Sequence, residues 1–160
     1  MKRWILAMMV GWVGLVSAQP ERVARVPAKQ WFQGERGYEQ AKELQKQTGA
    51  DIFLYFFRYD HNDEKGLCRW WETKGLQHGH VSKFLQDYIK VKVQMPLKKR
   101  EQETFAAYKF NKTPAVFVVT PDGRFPGRIQ VFDWPNNRPE LKSASDIIAD
   151  ISKVSTPKAE

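Results

Sequence analysis

The sequence predicts an α/β domain in which a mixed central sheet is flanked by helices. Two short runs carry most of that expectation. Ile52-Phe53-Leu54-Tyr55-Phe56-Phe57 and Ala115-Val116-Phe117-Val118-Val119 are apolar on both faces and bounded by polar residues, the pattern of strands buried inside a sheet. The third observation is the order of the other segments. Helical and strand-like spacings alternate as α-β-α-β-α-β-β-α, which a sheet covered by helices on both faces accommodates.

Taken from the start, residues 1–18 read as a signal peptide. Lys2 and Arg3 precede an apolar run from Trp4 to Val16, and Val16-Ser17-Ala18 suits cleavage after Ala18. The run falls short of the roughly 20 apolar residues a bilayer crossing needs. No stable membrane span is therefore expected after cleavage, with an uncleaved N-terminal anchor as the competing reading. Residues 19–34, with Pro20 and Pro27 and no clear period, read as an N-terminal arm. A domain over 35–154 and a flexible tail over 155–160 complete the organisation.

Within the domain, Tyr38, Ala41, Leu44 and Gln45 recur at helical spacing, and Gly49 supplies a stop signal. The polar stretch Arg58 to Gly66 is expected to be a loop. Leu67 to Gly75 and Val81 to Tyr88 read as helical pieces separated by a break at Gly75 and Gly79. Ile89, Val91 and Val93 alternate with Lys90, Lys92 and Gln94, which predicts a strand with one wet face. Leu97 to Phe110 is amphipathic and predicts a surface helix. Thr120-Pro121-Asp122-Gly123-Arg124 is a strong turn signal, with Arg128 to Phe132 as the returning hairpin strand. Asp133 to Pro139 is a loop, and Ser143 is placed to cap a last helix to Val154.

Composition narrows the function classes. The formal charge is +8, with two of those units in Lys2 and Arg3, and only Lys98-Lys99-Arg100 clusters. Scattered basic residues fit a solvated surface better than a polyanion track, and export argues against a nucleic-acid partner. Cys68 is the single cysteine, so no internal disulfide can staple the chain. The core must supply stability, for which 42% hydrophobic and 13% aromatic residues suffice. His78-Gly79-His80 and the Asp60-His61-Asn62-Asp63-Glu64 segment lack the spacing of a metal site. No cofactor, metal or Ser/His/Asp arrangement is expected.

The element order, a buried aromatic strand feeding a helix with a cysteine, Thr113-Pro114 before the second buried strand, and the Pro-Asp-Gly-Arg turn after it together resemble the thioredoxin superfamily. The resemblance spans about Trp31 to Val154 and lies nearest to exported thiol-disulfide interchange domains. It implies a cis-proline at Pro114 beside the site, and an extended peptide held there through backbone hydrogen bonds. Cys68-Arg69-Trp70-Trp71-Glu72 resembles that family's motif from its second cysteine onward, which puts Lys65 in the attacking position. In the other register Cys68 is the first cysteine and Trp71 replaces the second. Either way a dithiol cycle, which needs an attacking thiolate and a resolving thiol, is broken.

Cys68, set in the first turn of a helix, would gain thiolate character there; as a buried residue it would behave as a small hydrophobe. Adjacent helical residues point about 100° apart, so one of Trp70 and Trp71 is expected to pack on the sheet and the other to face solvent. With Thr113 and Pro114, these tryptophans are the candidate binding residues. The leading expectation is an exported, non-catalytic module for a protein or peptide partner, periplasmic or secreted. The alternative is a monothiol oxidoreductase using Cys68 with an external thiol. The sequence assigns no oligomeric state.

Overall fold

The computed structural model describes residues 24–157. The signal peptide and its cleavage site lie outside the described residues. β1 (Trp31–Gln33) leads directly into α1 (Gly34–Thr48), followed by β2 (Ile52–Arg58), α2 (Asn62–Trp70), a wide π-helical turn over Trp71–Leu76, and α3 (Gly79–Phe84) with its 3-10 extension Leu85–Asp87. Then come β3 (Ile89–Met95), α4 (Lys99–Thr104), β4 (Ala115–Val119), β5 (Phe132–Asp133), β6 (Glu140–Leu141) and α5 (Ala144–Val154). The main sheet has the order β1-β3-β2-β4. β3 runs parallel to both β1 and β2, whereas β4 is antiparallel to β2. This is the mixed, helix-flanked sheet the sequence predicts.

β2 lies between β3 and β4, and residues 52–57 are buried. Its alternation divides the core into two layers. Phe53, Tyr55 and Phe57 pack with Cys68, Trp71, Val81, Ile147 and Ile151 on one side. Ile52, Leu54 and Phe56 pack with Tyr38, Ala41, Phe105 and Tyr108 on the other. Full burial of one such side chain contributes about 1.5–3 kcal/mol, which is why the continuous apolar run settles at the sheet's centre. Ser143 caps α5 as expected, its Oγ accepting from the Asp146 amide at 3.2 Å.

Several elements differ from their sequence readings. The arm is not irregular throughout, because Trp31–Gln33 pairs with Lys90–Lys92 as an edge strand. The wet face of β3 is not wet at Lys90, whose Nζ is buried and donates to Ala28 O at 2.7 Å and Leu85 O at 3.3 Å. The helix expected over Leu97 to Phe110 stops at Thr104, because Phe105 and Tyr108 turn into the core. There Phe56 meets the rings of Phe105, Tyr108, Phe110 and Phe117 at centroid distances of 5.4, 5.8, 4.7 and 5.9 Å.

The hairpin strand over Arg128 to Phe132 is reduced to one bridge, Ile129 N–H to Val116 O at 2.8 Å. Pro126 just upstream has no N–H to extend the ladder, and Phe132–Asp133 pairs instead with Glu140–Leu141. The tail is tied where it begins, since the Thr156 amide and hydroxyl donate to the Asp51 carboxylate at 2.8 and 2.7 Å. Among the described residues, no helix is long and apolar enough to cross a membrane.

Candidate functional site

The largest departure from the sequence reading sets the site. α2 starts at Asn62, not Leu67, with His61 in extended geometry as its N-cap. Asp63 and Glu64 fall in the first turn, where carboxylates are favoured by the unpaired amides and the helix dipole. Of the stretch Arg58 to Gly66 expected to be a loop, only residues 59–61 are one, and Asn62 to Gly66 open the helix. Cys68 follows more than a turn later, beyond the reach of the dipole effect. The expectation of a thiol in the opening turn is corrected on this point.

Glu64 occupies the inner face of that first turn. Its Oε2 accepts from the Thr113 amide at 2.8 Å and the Thr113 hydroxyl at 2.5 Å. Its Oε1 lies 3.9 Å from Arg58 Nη1. Burial works to raise the Glu64 pKa, but the two bonds from Thr113 and the charge of Arg58 outweigh it and hold the carboxyl below its ordinary range. One turn on, on the same face, Cys68 Sγ donates to Thr113 Oγ1 at 3.5 Å. Thiol, hydroxyl and carboxylate therefore form one chain of donors and acceptors. Cys68 is fully buried, and burial pushes its thiol pKa up. That favours a packed thiol over a nucleophile.

Thr113 and Pro114 are joined by a cis peptide bond immediately before β4. Beside them opens a groove of about 590 Å³, whose lining includes His61, Glu64, Thr113, Pro114, Arg128 and Trp134. Arg128 donates from Nη2 to Pro114 O at 2.7 Å, while its buried Nε has no partner. No carboxylate among the described residues forms an ion pair with it. Burial holds the Arg128 pKa below its usual value, and the charge of Glu64 opposes this only in part.

The proposed contact residues separate clearly. Cys68, Thr113 and Pro114 come together, although Cys68 lies beneath the groove rather than in it. Trp71 is fully buried against the sheet and is no surface contact, a correction that follows from the 100° step between helical neighbours. Trp70 stays 39% exposed, with its ring 5.4 Å from that of Phe132, a groove residue. Trp134, at 49%, is the most exposed large apolar side chain among the described residues and lies in the groove lining. Sequence reasoning missed Glu64, whose signal was the acidic first turn and its position four residues before Cys68. It missed Arg128 as well, which enters from an irregular segment with no motif.

A parallel-antiparallel four-stranded sheet, helices on both faces and a cis-proline next to a helix opening define a thioredoxin-like fold, here with one cysteine in place of a dithiol. No family model matches the chain, and no curated protein sequence matches it. Solved structures do. A thioredoxin from Thermus thermophilus aligns with a TM-score of 0.56 at 19% identity, over 78% of this chain and 85% of its own. The reduced C-terminal domain of Neisseria meningitidis DsbD aligns with a TM-score of 0.57 at 14% identity, over 78% of this chain and 99% of that one. A DsbH oxidoreductase aligns with a TM-score of 0.55 at 21% identity, over 84% and 91%. At these identities the likeness is one of fold.

Proposed function

We propose that this chain is an exported, non-catalytic binding module that takes a peptide segment of a protein partner in the groove beside Pro114. The carrying observation is that groove, with its exposed tryptophan and a guanidinium left short of partners, set on a scaffold whose only thiol is sealed in the core. Export rests on the charged start, apolar run and small-residue cleavage site before Gln19, which point to the periplasm or the extracellular space. An intramolecular dithiol cycle is ruled out by the cysteine count. The monothiol alternative needs an accessible thiolate, and the burial and raised pKa of Cys68 weigh against it.

The mode of binding differs from the one the family resemblance implied. The Thr113 amide, which would be offered to an extended peptide, is already engaged by Glu64. The partner is then held by the groove's side chains, with Trp134 as the apolar anchor. The test is a library of amidated octapeptides screened against isotope-labelled protein by amide shift mapping. Peptides that perturb His61, Thr113 and Phe132 together support the reading. An inert library, or shifts confined to a different surface, would sink it.

A further inference from the structure

Arg128 is held as a ligand-reading group would be. A guanidinium has five N–H donors in a fixed fork that matches a carboxylate. Here one is spent on Pro114 O, and the buried Nε has none. Charges taken out of water are ordinarily paired, yet the nearby carboxylates are committed or distant. Glu64 faces Thr113 and Arg58, and Asp63 is exposed with no ion pair to Arg128. The other titratable groups of the lining, His61 and Lys112, add no negative charge. Apolar surface from Leu67, Phe132 and Trp134 lies in the same groove. Positive charge and apolar surface thus meet where Glu64 is felt only at a distance and no carboxylate among the described residues hydrogen-bonds the guanidinium.

We infer that Arg128 reads an acidic side chain of the bound peptide, an aspartate or glutamate next to an apolar residue that packs on Trp134. The inference rests on the groove being a peptide site. It assigns to that site a chemical preference that neither the fold nor the cysteine count supplies. The Arg128–Pro114 bond keeps the fork oriented, and the outer N–H groups of the guanidinium, not the sealed Nε, are the ones a carboxylate in the groove would meet.

The test uses octapeptides with acetylated and amidated ends, so that the only carboxylate is a side chain, at physiological salt. Glu-containing members are expected to bind about tenfold tighter than their Gln counterparts, the scale of one charge-assisted hydrogen bond. That ratio should collapse in R128Q and persist in R100Q, which removes an equal charge from the exposed start of α4. Three outcomes overturn the inference while leaving peptide binding intact: equal Glu and Gln affinities, a ratio that survives R128Q, or binding only by peptides with a free C-terminal carboxylate. Failure of every peptide removes both readings. If R128Q does not fold, the Glu-to-Gln ratio in the native chain decides, together with shifts of the Arg128 side-chain Nε–H signal on binding.

Discussion

Replacing Glu64 isolates the tie between α2 and the strand that follows Pro114. In Glu64→Ala the carboxylate that receives two Thr113 donors is lost, and the buried Thr113 amide is left without an acceptor. A hydrogen bond to a charged group contributes about 1.5–3 kcal/mol, and an orphaned buried donor costs about 1–3 kcal/mol. The two overlap, so a net loss of about 3 kcal/mol at pH 7 is expected, against the 5–15 kcal/mol typical of a whole domain. Urea denaturation monitored by tryptophan fluorescence measures it. Glu64→Gln keeps an acceptor and should lose about half as much. The folded pKa of Glu64 is lowered, so its contribution is complete above the ordinary carboxylate pKa of about 4.3 and fades as pH falls through the lower folded value. The gap between native chain and Glu64→Gln should therefore narrow below about pH 4. A loss under about 1 kcal/mol in Glu64→Ala, or a gap constant from pH 7 to pH 3, would refute the reasoning.

Other perturbations probe the rest of the molecule. Cys68 should react with iodoacetamide at least ~100-fold more slowly than a free cysteine near neutral pH and at the normal rate once unfolded, because it is buried and its thiol pKa is raised. The same raised pKa means that stability is untouched below the ordinary thiol value of about 8.5 and declines as pH climbs above it. Gly75→Ala would set a Cβ 2.0 Å from Cε3 of the immovable Trp71, and should cost about 2–3 kcal/mol. Gly66→Ala, with open space around it inside α2, should instead raise the melting temperature by contributing about 0.5–1 kcal/mol. Trp134→Ala should leave the urea midpoint unchanged while weakening binding of the best library peptide by at least ~10-fold.

What the sequence made legible was periodicity and its punctuation. β4 runs over the very residues Ala115–Val119 that the apolar run marks, and α5 begins where Ser143 caps it. Segments decided by distant partners were not legible. Phe105 and Tyr108 fit an amphipathic surface helix on spacing alone, and the distant rings of Tyr38, Phe56, Phe117 and Phe125 draw them off that helix. The acidic stretch before Cys68 was misread because polarity weighed more than its start-of-helix chemistry, although Asn62, Asp63 and Glu64 are good opening residues. That error displaced the cysteine by a turn and hid Glu64. At the π-turn over Trp71–Leu76 the pairing is local, since the indole of Trp71 lies over Gly75 four residues on, but that spacing is equally compatible with an ordinary helix.

Glu64 joins two segments 49 residues apart in sequence through oxygen and nitrogen alone. A dithiol at a helix opening makes the neighbouring surface a function of the electron supply around it, opening or closing with each oxidation. A carboxylate clamped to a threonine has no such second state. The tie is indifferent to a reducing or an oxidising medium and loosens only where Glu64 takes up a proton, below the ordinary carboxylate range.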